Sequence, residues 1–446
     1  MKVFSSKRSR PLVTVLIGFA VLVTACRFAV AAEPSSADVQ ATAISRDSRN
    51  GLEALVDEAL QRSPTIEAAR HRWESSAKVP VQVSTLPDPQ IGLQEFTVGG
   101  PRPLEGYETS DFYYTGFGVS QDIPWPSKLG WQAEQAKKQS EYAHQTYEAA
   151  RRETAEKVRE SYFELFFLKK ALAILGETRG ELHRIEKVTE ARYRLGQAQE
   201  QDLSKSQLEM TSILEQIEIN DDETGRRQAE LKATLGRDPD SPDIEVGDIA
   251  PSNLNLDAPQ LQQLPLEKLS IERSPELKMA EAMEAGSADA LKLARANYYP
   301  DLSVGYAYQK TGPGLRDYYM LTVGAKIPLY FWRKQTPAVE QAALDNRAAH
   351  SETRARELEV SAAARSQAIA IRTAGRVMTL YRDGLIPQAK ATRDAALNGY
   401  RVGKVDFQTL LSAVIDSLNM NQAYYRALAD HEIAAAKLHQ IVGDAP

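Results

Sequence analysis

Cysteine is almost absent from the chain: Cys26 stands alone among 446 residues, so no disulfide forms within one copy. Long hydrophobic runs are also scarce. Only Leu12 to Ala25 is long, apolar and uncharged, and its 14 residues fall short of the roughly 20 that a membrane-crossing helix needs. That excludes a polytopic helical transporter. Proline is missing from Ser127 to Asp238, and between Ala338 and Ala445 it occurs only at Pro387. Proline breaks a helix interior at about 3 kcal/mol, so these two spans permit very long helices. Net positive charge is lacking as well. Without residues 1–25, which hold four basic and no acidic residues, the chain carries a formal charge of −10 and offers no footprint for nucleic acid.

The start of the chain is organised for export. Lys2, Lys7, Arg8 and Arg10 precede the apolar run, so residues 1–25 read as a signal peptide to be set aside from the fold. Two endings fit it. Leu22-Val23-Thr24-Ala25-Cys26 looks like a bacterial lipobox, which makes Cys26 a candidate lipidation site; Ala29-Val30-Ala31 allows ordinary cleavage near Ala32. Residues 26–50 follow as an N-terminal extension.

The remainder is duplicated. Arg62-Ser63-Pro64 recurs at Arg273-Ser274-Pro275, Pro87-Asp88 at Pro300-Asp301, Ile123-Pro124 at Ile327-Pro328, and Tyr193-Arg194-Leu195-Gly196 at Tyr400-Arg401-Val402-Gly403, with offsets of 211, 213, 204 and 207. Common order at nearly one offset marks an internal repeat. The two repeats cover 51–236 and 266–446, joined by a Pro-, Asp- and Asn-rich segment over 237–265. Each reads as short helix, two strands, very long helix, turn, helix. In the first repeat the spans are about 51–78, 131–195 and 199–236; the second kinks near Gly384 and Pro387. Val158, Tyr162, Leu165, Leu168, Leu172 and Leu175 step by threes and fours, as do Phe407, Leu411, Val414, Leu418, Tyr425 and Leu428 with an interruption at Asn421. Such seams predict coiled-coil-like packing. The short helix and the last helix together nearly equal the long one in length, which predicts end-to-end stacking along it.

Strands are expected at about 89–98, 112–124, 299–310 and 317–329. Leu302, Val304, Tyr306 and Tyr308 alternate with Ser303, Gly305, Ala307 and Gln309, and Tyr319, Leu321, Val323, Ala325 and Ile327 alternate with Met320, Thr322, Gly324 and Lys326. An apolar face backed by a small or polar one is the pattern of a membrane barrel wall, shared with half-wet soluble sheets. Trp125, Tyr330, Phe331 and Trp332 fall where strands give way to long helices, as membrane-interface aromatics do. Four strands close no barrel, and open edges are not tolerated in lipid. Closure with further copies gives 8 strands from two chains or 12 from three, and the larger leaves an open bore.

With these features the sequence resembles the TolC-type outer-membrane efflux family. The resemblance implies a mainly α fold with a small membrane β-barrel: a homotrimer with a 12-stranded barrel on a long α-helical coiled-coil tunnel through the periplasm. It also implies passive export of small substrates, metal ions or drugs, with a periplasmic adaptor and an inner-membrane pump of the RND type as partners. Carried over by motif, Tyr193, Arg194, Leu195 and Gly196, with Tyr400, Arg401, Val402 and Gly403, would form the tips that gate the tunnel and dock the adaptor. Asp202 matches an acidic position near the constriction, whereas its second-repeat counterpart is Thr409. Leu86-Pro87-Asp88-Pro89 and Gln121-Asp122-Ile123-Pro124-Trp125-Pro126-Ser127-Lys128 look like the heavy-metal, CusC- and CzcC-like branch, with Ser127 in place of a glycine. A type I secretion channel shares the architecture. A periplasmic coiled-coil adaptor or scaffold gives no reason for two strand pairs. No cofactor, metal site or enzyme motif is expected, since the six histidines lack ligand spacing.

Overall fold

A computed structural model of the chain describes residues 51–96, 113–249, 266–312 and 314–443. The signal segment, Cys26, the N-terminal extension, the linker from 250 onward and the expected strand residues 97, 98 and 112 lie outside the described residues. The first repeat runs α1 (51–62), α2 (Pro64–Ser76), α3 (Val79–Ser84), β1 (Gln90–Phe96), β2 (Tyr114–Ile123), α4 (Pro126–Arg194) and α5 (Glu200–Thr234). The second runs α6 (Leu266–Arg273), α7 (Pro275–Ala296), β3 (Asp301–Thr311), β4 (Tyr318–Lys326), α8 (Gln335–Leu380), a π-helical turn (Tyr381–Leu385), α9 (Ile386–Arg401) and α10 (Phe407–Val442).

Helix α4 is 69 residues long, about 104 Å at 1.5 Å per residue. It starts at Pro126, earlier than expected, because proline fits the first helical position, where no N–H is needed. The single helix expected over 51–78 is instead two, and a third, α3, follows at Val79. Pro64 cannot continue α1 and opens α2, and Pro80 sits in the first turn of α3. In the second repeat Pro387 has no N–H for the residue one turn back. The widened turn at Tyr381–Leu385 absorbs that loss and α9 resumes at Ile386, so the expected kink is a π-turn.

The stacking expected from helix lengths is present. The end of α5, at Gly236, lies against the Arg62 carbonyl and the Pro64 ring, where α1 gives way to α2. Arg237 seals the joint by a two-point ion pair to Glu58 at 2.6 and 2.9 Å. In the second repeat the end of α10 meets the α6–α7 break. There Arg152 of α4 donates to the carbonyls of Arg273 (3.1 Å) and Gln440 (3.4 Å), satisfying two helix C-termini at once. The recurring Arg-Ser-Pro therefore marks a helix-to-helix joint.

Both predicted seams are buried except at Leu172 and Tyr425, which are half-buried. Val158, Tyr162, Leu165 and Phe166 pack with Leu52, Val56, Leu231 and Leu428 in one core, and Leu175, Leu182, Ile185 and Ile213 pack with Tyr400, Phe407, Leu410 and Val414 in another. Residues 237–249 are strapped onto the first core. Gln228 exchanges two hydrogen bonds with the Ile244 backbone (2.9 and 3.0 Å), Lys169 donates to the Val246 carbonyl, and Lys170 pairs with Asp248 at 2.7 Å.

The sheet has order β1-β2-β3-β4, antiparallel throughout. Gln90 faces Ser120 in the first hairpin, and the equivalent Ser303 faces Gly324 in the second. Offsets of 213 on the leading strands and 204 on the trailing ones thus superpose the two hairpins residue for residue. Across the sheet, Ile91, Val119, Tyr306 and Leu321 form one row and Leu93, Phe117, Tyr308 and Tyr319 the next, nearly all exposed. The opposite face carries Gly92, Gly118, Ala307 and Met320, then Gln94, Gly116, Gln309 and Tyr318.

Candidate functional site

The two helical tips are built alike. Helix α4 ends with Gln197 donating to the Arg192 carbonyl (2.8 Å) and Gly196 to that of Tyr193 (2.9 Å); α9 ends with Lys404 donating to Gly399 (2.9 Å) and Gly403 to Tyr400 (3.0 Å). These paired bonds are Schellman closures, which require a left-handed residue after the cap. Gly196 and Gly403 supply it at φ 69° and 75°. Each Tyr-Arg-apolar-Gly tetrapeptide is therefore the last turn of a helix plus its reversal. Leu195 and Val402 occupy the cap positions and stand 72% and 68% exposed, two apolar side chains presented at the extreme end.

The tyrosines, alike in sequence, part company in space. Tyr193 is 42% exposed, whereas Tyr400 is 3% exposed and packed among the helices. The Tyr400 hydroxyl lies 3.0 Å from the Thr189 hydroxyl, and its ring lies under the Arg192 guanidinium at 4.6 Å. Arg192 also donates to the Tyr400 and Gln197 carbonyls, so one side chain ties the two turns together. Lys205 to Gln408 (2.8 Å) and Arg393 to Glu181 (3.6 Å) lace the same pair of hairpins. Arg194 pairs with Glu190 at the surface and Arg401 is exposed.

Arg192 was not singled out from the sequence, although a signal existed. Its repeat counterpart is Gly399, where a Cβ would run into Val405, so the tips differ at the position that joins them. Asp202 acts locally, accepting the Gln199 N–H at 3.2 Å and completing a capping box at the start of α5. In the second tip the acid has moved to the cap itself, Asp406, which accepts the Thr409 N–H at 2.6 Å. That bond holds the Asp406 carboxyl below its usual range. Each tip thus retains a carboxylate, spent on helix initiation.

At the other end, the sheet is bound to the rod by Asp301. It accepts from Trp125 N–H (3.0 Å) and from Lys128 (2.7 Å), while Lys128 also reaches the Tyr299 carbonyl at 3.0 Å. Trp125 stacks on Tyr299 at 5.1 Å and is half-buried, whereas Tyr330, Phe331 and Trp332 cluster edge-on and exposed. Among the described residues there is no group of three His, Cys, Asp or Glu arranged to hold a metal ion, and no helix is long and apolar enough to cross a membrane.

These features define a duplicated helical rod, closed by glycine turns at one end and carrying an apolar-faced sheet at the other. The family model for outer membrane efflux proteins matches residues 55–237 and 266–444, so the chain belongs to the outer membrane efflux protein family, transport channels and not enzymes. Comparison with curated proteins finds no match. Among solved structures the chain is similar to the outer-membrane channel OprN (TM-score 0.75, 16% identity, 89% of this chain and 90% of that one). It is similar to VceC from Vibrio cholerae (0.74, 17%, 88% and 96%) and to CusC (0.75, 15%, 89% and 92%). CusC is thus no nearer than the others, and the likeness establishes the fold without selecting a branch.

Proposed function

We propose that the chain is the outer-membrane duct of a tripartite efflux system, with three copies forming a 12-stranded barrel above a helical tunnel in the periplasm. Small substrates, metal ions or drugs, pass through it passively, delivered by an inner-membrane pump of the RND type and a periplasmic adaptor. The observation that carries this reading is the sheet: four strands with exposed apolar rows on one face, mainly Gly, Ala, Ser, Thr and Gln on the other apart from Phe96, Tyr114, Tyr318 and Met320, and two open edges. In lipid such a sheet is stable only when closed. Twelve strands leave a bore, and the exposed Trp332, Tyr330 and Phe331 sit at the level of a membrane interface.

The tips serve as gate and docking surface. Leu195 and Val402 offer apolar contacts to an adaptor, and Arg194 and Arg401 surround them with charge. The tie through Arg192 and Tyr400 holds the paired hairpins together within a copy. The segments that resemble the heavy-metal branch make structural contacts, Gln121 donating to the Pro87 carbonyl at 2.6 Å and Lys128 binding Asp301. They hold the barrel to the rod and leave substrate choice to the pump.

The test is single-channel conductance of the purified protein in planar bilayers, with oligomer mass measured in detergent. A trimer that inserts and conducts is expected, with Arg192→Ala raising conductance several-fold by loosening the tip. A water-soluble species that never inserts would overturn the duct.

A further inference from the structure

We infer that β4 of one copy pairs antiparallel with β1 of a second copy in one fixed register: Ala325 opposite Ile91, Val323 opposite Leu93 and Thr322 opposite Gln94. In this seam Asp88 of the second copy lies against the basic turn at Arg333 and Lys334 of the first. The inference rests on the closed-barrel reading above and adds the residues through which the copies meet.

The chain already contains this seam once. Strands β2 and β3 join the first repeat to the second, with Gln121 opposite Val304, Val119 opposite Tyr306 and Gly118 opposite Ala307. The two hairpins share one register, so residues 204 apart on β2 and β4, and 213 apart on β1 and β3, are equivalent. Moving the β2–β3 pairs by those offsets turns β2 into β4 and β3 into the β1 of another copy, which yields the three pairs above. The edges on both sides are exposed, Ile91, Leu93, Leu321 and Val323 among them.

Two independent features agree with this register. The first is the faces. Leu93 and Val323 both belong to the apolar face, and Gln94 and Thr322 both to the polar one. A slip of one residue would set every apolar side chain beside the wrong face. The second is charge. At the internal seam Asp301 is neutralised by Lys128, and within its own hairpin it lies opposite Lys326. Its equivalent Asp88 is exposed and has no ion pair among the described residues, and continuing the β1–β2 register sets it opposite Asp122, a second acid. The β1 edge therefore ends in Asp88, with the Asp122 carboxylate on the neighbouring strand beside it. The β4 edge ends in Lys326 and the exposed Arg333 and Lys334. The cation of the internal seam has shifted by one or two residues, because the turn over 327–334 takes the place of the early start of α4.

Paired cysteines test the register in the full chain, purified as the oligomer. Leu93→Cys with Val323→Cys, and Gln94→Cys with Thr322→Cys, place Cβ atoms about 4.5–5.5 Å apart, whereas Leu93→Cys with Leu321→Cys is diagonal at about 7–8 Å. After oxidation, non-reducing gels should show covalent dimers and trimers at least tenfold more abundant for one of the two in-register pairs. The unsubstituted chain provides the blank for Cys26. A trimer by mass whose cross-links favour the diagonal pair would overturn the register and leave the duct standing. A chain that forms no oligomer by mass would overturn both. Charge reversal tests the second part: Asp88→Lys should lower the temperature at which the oligomer dissociates in detergent, and Arg333→Asp with Lys334→Asp should restore it. No loss, or loss without restoration, would remove Asp88 from the seam.

Discussion

Glu156 lies buried in the seam between α4 and α10, one turn before Glu160, which takes a hydrogen bond from Lys437 at 2.9 Å. Burial and the neighbouring Glu160 carboxylate push its pKa up to about 7, against partial relief from Lys437 and Lys157. Below about pH 4.5 the group is protonated in folded and unfolded chains alike. Between that point and about 7 the unfolded chain ionises while the folded one keeps its proton, so stability is lost across this window as pH rises, by on the order of 3 kcal/mol. Glu156→Gln removes the difference. Thermal melts of the detergent-solubilised protein should show the variant raised at pH 8 and unchanged at pH 5; an equal shift at both values would show that ionisation is not the cause. Nothing in the sequence marked Glu156, since a glutamate in a charged helix is ordinarily solvated. Tyr400 was equally opaque: its motif gave the turn, but its burial follows from Thr189 and Arg192, 211 and 208 positions away. Local chemistry reads from spacing, whereas partners brought together by folding do not.

Helices were the most legible elements, because proline and glycine act through the backbone whatever the tertiary surroundings. The absence of proline marked α4, and Gly236, Gly196 and Gly403 each close a helix at positive φ. What the sequence withheld was the difference among these glycines. A Cβ at Gly196 would meet open space, whereas one at Gly236 would lie 2.8 Å from the Arg62 carbonyl oxygen and 3.4 Å from Pro64, at the joint where two helices stack. Gly196→Ala therefore carries only the left-handed penalty of about 1 kcal/mol, and Gly236→Ala adds a backbone collision to it. Melting temperatures should fall clearly further for Gly236→Ala. Equal losses would mean that the α5 end is free to move away from α1 and that the stack is not a fixed joint. The π-turn has a similar history: Pro387 foretold an interruption, but whether a helix kinks, breaks or widens depends on how far its neighbours let it move.

At the scale of the whole molecule, duplication does two things at once: it sets two helical repeats side by side, with both tips at one end, and it puts two hairpins of one register into a single sheet. The alternation that suggested a wall was legible in β3 and β4, yet alternation alone belongs equally to a soluble sheet with one wet face. Structure adds that the apolar rows of four strands line up across both hairpins and that no helix of the described residues covers them with buried contacts. A face exposed in this way meets either lipid or water, and the two surroundings predict opposite results for charge. Leu321→Arg places a guanidinium on the apolar face near the middle of β4, at a cost of about 2–4 kcal/mol in the bilayer midplane. Thr322→Arg, its neighbour, places the same charge on the polar face, where a water-filled bore accepts it. The expected outcome is loss of assembled protein from the outer-membrane fraction for Leu321→Arg and normal yield, with altered ion selectivity, for Thr322→Arg. Normal membrane yield for both would show that the apolar face does not contact lipid, and the barrel would have to be abandoned while the helical tips kept their geometry.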